Sequence, residues 1–178
     1  MSKHVSSVLA AVILTLALSA LAFAQTTTTT TKTVVQNPDG TYTVIEYPAK
    51  KEITLNLTPV AIQGAKGVAT ILRDDDGTRI KLNLTNVPAD VTAMTLYAVD
   101  DTGTVTALGP VTLTNGVGEL STTTPLSKFM LIASPETSLA TYDPNTQVFF
   151  RSAVPAGMAV VPYHSNPSGE KVSATTEP

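Results

Sequence analysis

Thr78-Arg79-Ile80-Lys81-Leu82-Asn83-Leu84-Thr85 alternates strictly between apolar and polar residues. A period of two belongs to a β-strand with one buried face, here Ile80, Leu82 and Leu84 inward and Arg79, Lys81 and Asn83 toward water. Asp74-Asp75-Asp76-Gly77 supplies a turn before it, and residues 67–73 supply the other arm, so the region predicts an antiparallel hairpin. Working outward, residues 53–57 alternate with Ile53, Leu55 and Leu57 on one face. Further short apolar runs fall at 93–99, 105–108, 111–114, 118–121, 128–133, 147–152 and 158–161. Asp100-Asp101-Thr102-Gly103 and Asn115-Gly116 punctuate them with turn chemistry. No stretch holds a capped helical period. The spacing predicts an all-β domain over residues 52–162, a single antiparallel immunoglobulin-like β-sandwich.

The ends of the chain read differently. Residues 1–24 form a short basic start, an apolar run and the Ala22-Phe23-Ala24 small-x-small pattern, which predicts a signal peptide cut after Ala24. The run is short for a membrane span and carries Ser and Thr, so no stable span is expected after cleavage. Residues 25–51 open with six threonines, Thr26 to Thr31, a polar tract with nothing to bury that reads as a spacer or an O-glycosylated stem. Asn37-Pro38-Asp39-Gly40 then joins two β-prone stretches, Thr33 to Gln36 and Thr41 to Tyr47, predicting a β-hairpin arm ahead of the sandwich. Residues 163–178 lose all apolar rhythm and are expected to be a disordered tail.

Composition excludes several functions. The 178 residues carry a net charge of −3, too little positive charge for a nucleic-acid partner. There is no Cys, so disulfide frameworks and thiolate chemistry are absent. Of the two histidines, His4 lies in the leader and His164 in the tail, leaving the folded region with neither a Ser-His-Asp triad nor a His-ligated metal. The sequence therefore implies no catalytic residue and no cofactor. A glycosidase needs paired carboxylates around a cleft, one with a raised pKa, but most carboxylates here fall in turns. Asp74, Asp75, Asp76, Asp100 and Asp101 are oxygen-rich loop clusters that suit calcium, although neither follows the alternating spacing of a calcium loop. A tight turn explains the same residues without an ion. Asn56-Leu57-Thr58 and Asn83-Leu84-Thr85 are N-glycosylation sequons on outward strand positions.

Met94-Thr95-Leu96-Tyr97-Ala98-Val99-Asp100, Ala107-Leu108-Gly109-Pro110-Val111 and Phe129-Met130-Leu131-Ile132-Ala133-Ser134-Pro135-Glu136 carry a resemblance. They resemble the extracytoplasmic C-terminal β-sandwich domain of RskA-type anti-sigma factors, and small secreted bacterial β-sandwich proteins of unassigned function. In the anti-sigma family a sigma-binding segment and a transmembrane helix precede this domain; here the leader and spacer stand in their place. The resemblance thus implies a fold and a location outside the cytoplasm, not control of a sigma factor.

These readings converge on an exported protein, periplasmic or extracellular, acting as a non-catalytic binding or structural module of the cell envelope, with a protein or glycan partner. A second reading is a carbohydrate-binding module, with or without calcium assistance, with Tyr97, Tyr142, Phe149 and Phe150 as its candidate stacking residues. A third is homo-oligomerisation through the hairpin arm.

Overall fold

The computed structural model describes residues 42–163, and the predicted signal peptide, threonine spacer, first hairpin stretch and the tail beyond Tyr163 lie outside them, while Tyr163 itself ends a strand. Ten strands form: β1 (Tyr42–Glu46), β2 (Glu52–Pro59), β3 (Lys66–Asp74), β4 (Gly77–Thr85), β5 (Met94–Val99), β6 (Val105–Thr114), β7 (Val117–Thr124), β8 (Lys128–Ser134), β9 (Phe150–Ser152) and β10 (Val160–Tyr163). All strand pairings are antiparallel. The all-β expectation holds, but the sandwich does not. Eight strands run β8-β5-β6-β7-β4-β3-β2-β9, and β9 pairs again with β8, closing the sheet into a barrel. Strands β5 to β8 form a Greek key, with β8 returning to lie beside β5.

Closure rests on β9. Its three residues pair with β2 through Leu57–Ser152, Thr58–Arg151 and Pro59–Phe150, and with β8 through Ile132–Arg151 and Ala133–Phe150. Alternation along β2, β3 and β4 is the same whether a sheet faces a second sheet or curls onto itself, so the pattern at 78–85 fits both.

The interior shows how the curl is accommodated. Leu57, Gly67, Leu84, Gly118 and Leu113 lie in register across β2, β3, β4, β7 and β6, so large and small residues alternate around one layer. A Cβ on Gly67 would sit 2.9 Å from the Leu57 Cβ, and one on Gly118 would sit 2.7 Å from Leu113 Cδ2. The next layers widen to Leu55, Ala69, Leu82 and Leu120, then to Ile53, Ile71 and Ile80. Alternating sizes are how a narrow barrel fills its taper without voids or clashes. A bulge in β6 adds curvature where the register shifts between Leu96 and Tyr97; Gly109 there has φ +137°. The predicted runs 105–108 and 111–114 are thus one bent strand.

Strands β5 and β8 are buried on both faces. Met94, Leu96, Ala98, Phe129, Leu131 and Ala133 fill the barrel, while Tyr97, Val99, Met130 and Ile132 build a second cluster outside it with Tyr42, Val44, Tyr142 and Val148. Their continuous apolar sequences reflect this double burial. The covering layer includes β1 and the segment between β8 and β9. The second stretch of the predicted hairpin arm, including Tyr42–Glu46, is therefore packed into the domain: β1 pairs with β10 and, at Ile45–Phe129 and Glu46–Lys128, with β8.

Among the described residues no strand pairs with the outer edge of β10. Glu46 N–H donates to the Ala159 carbonyl at 3.1 Å, which fixes the bonding phase. Alternation then turns the backbone of Pro162, opposite Thr43, away from β1. Its missing N–H falls on the outer edge, where it removes a donor that another strand would need.

Tyr47 follows β1 and is buried against Phe129, ring centroids 4.6 Å apart. Its hydroxyl has no hydrogen-bond partner among the described residues, and burial pushes its phenol pKa upward.

Two outcomes follow from this packing. Gly118→Ala should destabilise the protein by about 1–3 kcal/mol through overpacking, read as a lower urea midpoint. Tyr47→Phe should match or exceed the wild type at neutral pH, because it removes an unsatisfied buried hydroxyl. Above about pH 10 the unfolded chain releases a phenolic proton that folded Tyr47 retains, so wild-type stability falls as pH rises. The variant's stability curve should be flatter there, by up to about 1.4 kcal/mol per pH unit.

Candidate functional site

Both acidic clusters are hairpin turns at the barrel end where β3 and β5 finish. In the β3–β4 turn, Asp74 Oδ2 lies 2.6 Å from Arg79 Nη2, and its Oδ1 accepts the Asp76 N–H at 3.0 Å. Asp75 faces Lys50 at 3.1 Å across solvent. Gly77 has φ +134°, and a Cβ there would meet the Thr124 carbonyl oxygen at 2.9 Å, so this position requires glycine. In the β5–β6 turn, Asp100 Oδ1 accepts the Thr102 N–H at 2.8 Å, the Thr102 hydroxyl at 2.7 Å and the Thr104 N–H at 2.9 Å. Asp101 is exposed beside it. Strand β7 separates the two hairpins, and among the described residues no three His, Cys, Asp or Glu side chains gather into a group that could hold a metal.

The aromatic residues are also drawn inward. Tyr97 is buried, and its hydroxyl donates to the Glu136 carbonyl at 2.7 Å, tying the β8–β9 segment to β5. Phe150 lies inside the barrel, Phe149 is half-buried, and Tyr142 stacks edge-on against Tyr42 with centroids 5.3 Å apart. The four candidate stacking residues therefore do not form a flat exposed platform. The two sequon asparagines, Asn56 and Asn83, are exposed on the barrel wall, both in register with Val68 between them.

The opposite end of the barrel is concave. One cleft of about 670 Å³ lies between the β4–β5 crossover and the β6–β7 turn, lined by Val87, Pro88, Val91, Leu113 and Val117 among others. The turn beside it is Asn115-Gly116, both residues at positive φ, and its Gly116 carbonyl accepts the Val87 N–H at 3.0 Å. Among the described residues no charged side chain lines this cleft.

A second cleft, of about 400 Å³, has one. Val60 and Ala61 form one wall as β2 ends, Pro144 to Phe149 form the other, and Arg151 of β9 lies between. The sequence builds this wall locally. Asp143 Oδ1 accepts the Asn145 N–H at 2.8 Å, and the Asp143 N–H bonds the Thr146 hydroxyl at 2.9 Å, making a tight Asx turn through Pro144. Ser134 Oγ donates to the Gln147 carbonyl at 2.7 Å, Phe149 N–H to Ala133 at 2.7 Å, and Val60 N–H to Phe149 at 2.8 Å. Both walls are thereby fastened to β8 and β2. Arg151 points outward from β9 between Thr58 and Ile132, half-buried, with its guanidinium carbon 5.7 Å from the Tyr142 ring centre. Burial raises the Tyr142 phenol pKa, and Arg151, hydrogen-bonded to it, pulls the other way.

The sequence does not mark this cleft, because Arg151 falls within the short run at 147–152 and belongs to no motif. The available signal was Asp143-Pro144-Asn145-Thr146, a self-capping turn, followed within a few residues by an arginine flanked by buried Phe150 and Ser152.

No family model matches the chain, and neither a curated protein nor a solved structure matches it.

The acidic turns make a direct prediction. Asp100→Ala removes a carboxylate that accepts three hydrogen bonds and should lower stability by about 1 kcal/mol. The wild-type melting temperature should be the same in calcium and in chelator.

Proposed function

We propose that the protein is an exported, non-catalytic binding module of the cell envelope, and that the cleft between the β2 end and the β8–β9 segment is its binding face. The observation that carries this reading is the Arg151 cleft itself: hydrogen-bonded walls of mixed apolar and polar residues and one half-buried cation, on a barrel whose interior is filled by side chains. Binding sites in general combine an apolar lining with few, well-placed polar groups. Residues 42–163 supply neither His nor Cys, and the Asp74 and Asp100 carboxylates are occupied by their own turns, which favours binding over turnover.

The mode of binding follows from the same geometry. A closed barrel has no sheet edge to extend, and the outer edge of β10 carries Pro162, so capture of partners by adding a strand is disfavoured. Loops and clefts are the remaining route. Among the described residues no helix is long and apolar enough to cross a membrane.

Fractionation of the producing cell tests the proposal. The expected result is a protein starting at Gln25, recovered outside the cytoplasm and inert toward ester, peptide and glycan substrates. Retention inside the cell with Met1 intact, or reproducible turnover by the purified protein, would overturn it.

A further inference from the structure

We propose that Asn115, at the tip of the β6–β7 hairpin, is a site of spontaneous covalent modification. It closes a succinimide ring with Gly116 and reopens as aspartate or isoaspartate, which brings a negative charge to the cleft between the β4–β5 crossover and the β6–β7 turn. The reaction needs water and no other co-reactant. The Gly116 main-chain nitrogen attacks Asn115 Cγ, the new N–Cγ bond replaces Cγ–Nδ2, and ammonia leaves with the proton from Gly116. Water then opens the ring at one carbonyl or the other, giving an aspartate side chain or an isoaspartyl link in the main chain.

The nitrogen that follows each asparagine decides where this chemistry occurs, and residues 42–163 hold five cases. Leu57 and Leu84, after Asn56 and Asn83, lie inside β2 and β4 with a paired strand on each side. Val87, after Asn86, donates its N–H to the Gly116 carbonyl at 3.0 Å. Thr146, after Asn145, donates to the Asp143 carbonyl at 3.1 Å. Each of these nitrogens must first be released from its bond, and each belongs to a residue whose side chain crowds the attack. Gly116 differs on both counts. The β6–β7 ladder ends at Thr114–Val117, so Gly116 is not one of its rungs, and its N–H has no acceptor among the described residues. It also has no Cβ to obstruct the ring.

The fold requires this pair. Asn115 has φ +51° and Gly116 φ +77°, the backbone of a tight two-residue hairpin turn. A Cβ on Gly116 would meet the Val87 carbonyl oxygen at 2.8 Å, so glycine is needed both for its conformation and for the close approach. Asn115 itself is exposed to the water that hydrolyses the ring. The turn thus selects the two residues that cyclise most readily. The product changes the cleft in two ways. Aspartate adds a charge where, among the described residues, no charged side chain lines the walls. Isoaspartate also lengthens the main chain by one atom between Thr114 and Val117, drawing the Gly116 carbonyl away from the Val87 N–H that ties the two walls together.

The test holds the purified, folded protein in warm, mildly alkaline buffer and follows every asparagine by peptide mass spectrometry, with a parallel sample unfolded in urea. In the folded protein Asn115 should convert at least about tenfold faster than Asn56, Asn83, Asn86 or Asn145, whose following amides are protected. Two products should separate by chromatography, and the isoaspartate form should be a substrate for an isoaspartyl methyltransferase. In that form the Val87 amide should lose its protection against hydrogen exchange. Freshly purified protein should keep it, and so should Asn115→Gln after the same incubation, because the longer side chain closes its ring poorly. Conversion of Asn115 in urea but not in the folded protein would overturn the inference, since the turn would then be a shield. Conversion of another asparagine at an equal rate, or unchanged Val87 protection in the isoaspartate form, would overturn it as well.

Discussion

The barrel depends on two missing side chains. Gly67 and Gly118 face inward between leucines in the tightest layer of the core, where a single methyl would already collide with Leu57 or Leu113. That space lets β3 and β7 pack between the leucines of their neighbouring strands. Everything farther out follows from closure. The second apolar cluster forms because the outer face of β5 and β8 is covered, and the cleft forms because β9 carries Arg151 to the place where two loops meet.

The cost of covering a barrel wall is visible in the polar groups that hold the cover down. Tyr97 and Ser134 each send a hydroxyl into the β8–β9 segment, at Glu136 and Gln147. These bonds satisfy buried polar atoms and also fix the cleft wall, so the stability of the core and the shape of the site depend on the same contacts. Tyr47 is the exception, a phenol enclosed for its ring and not for its oxygen.

Much of the fold was legible in the sequence. The period of two at 78–85 gave the inward face of β4 correctly: Ile80, Leu82 and Leu84 are all buried. The continuous apolar runs at β5 and β8 also marked strands. The closed architecture was not legible, because alternation reports which side of a strand is buried and says nothing about what lies opposite. The decisive strand, β9, has only three residues, too few for a periodic signal. The arm at Thr41 to Tyr47 was legible as a strand but not in its pairing, and its turn and first stretch lie outside the described residues. Its turn chemistry is local, whereas the partners of β1 lie far along the chain, in β8 and β10. Of the candidate site residues, the acidic turns were located correctly as turns, while Arg151 depended on two loops brought together by closure.

The late arrival of partners has a consequence for a chain that is made amino end first. Strand β1 precedes all others, yet β8 and β10 come after most of the sheet, and the ring cannot close until Phe150–Ser152 is present. The order of synthesis is thus opposed to the order of completion. While it grows, the chain can make local hairpins such as β3–β4, but it cannot lock the barrel prematurely. A fold fastened by its last strands stays open until they have been made.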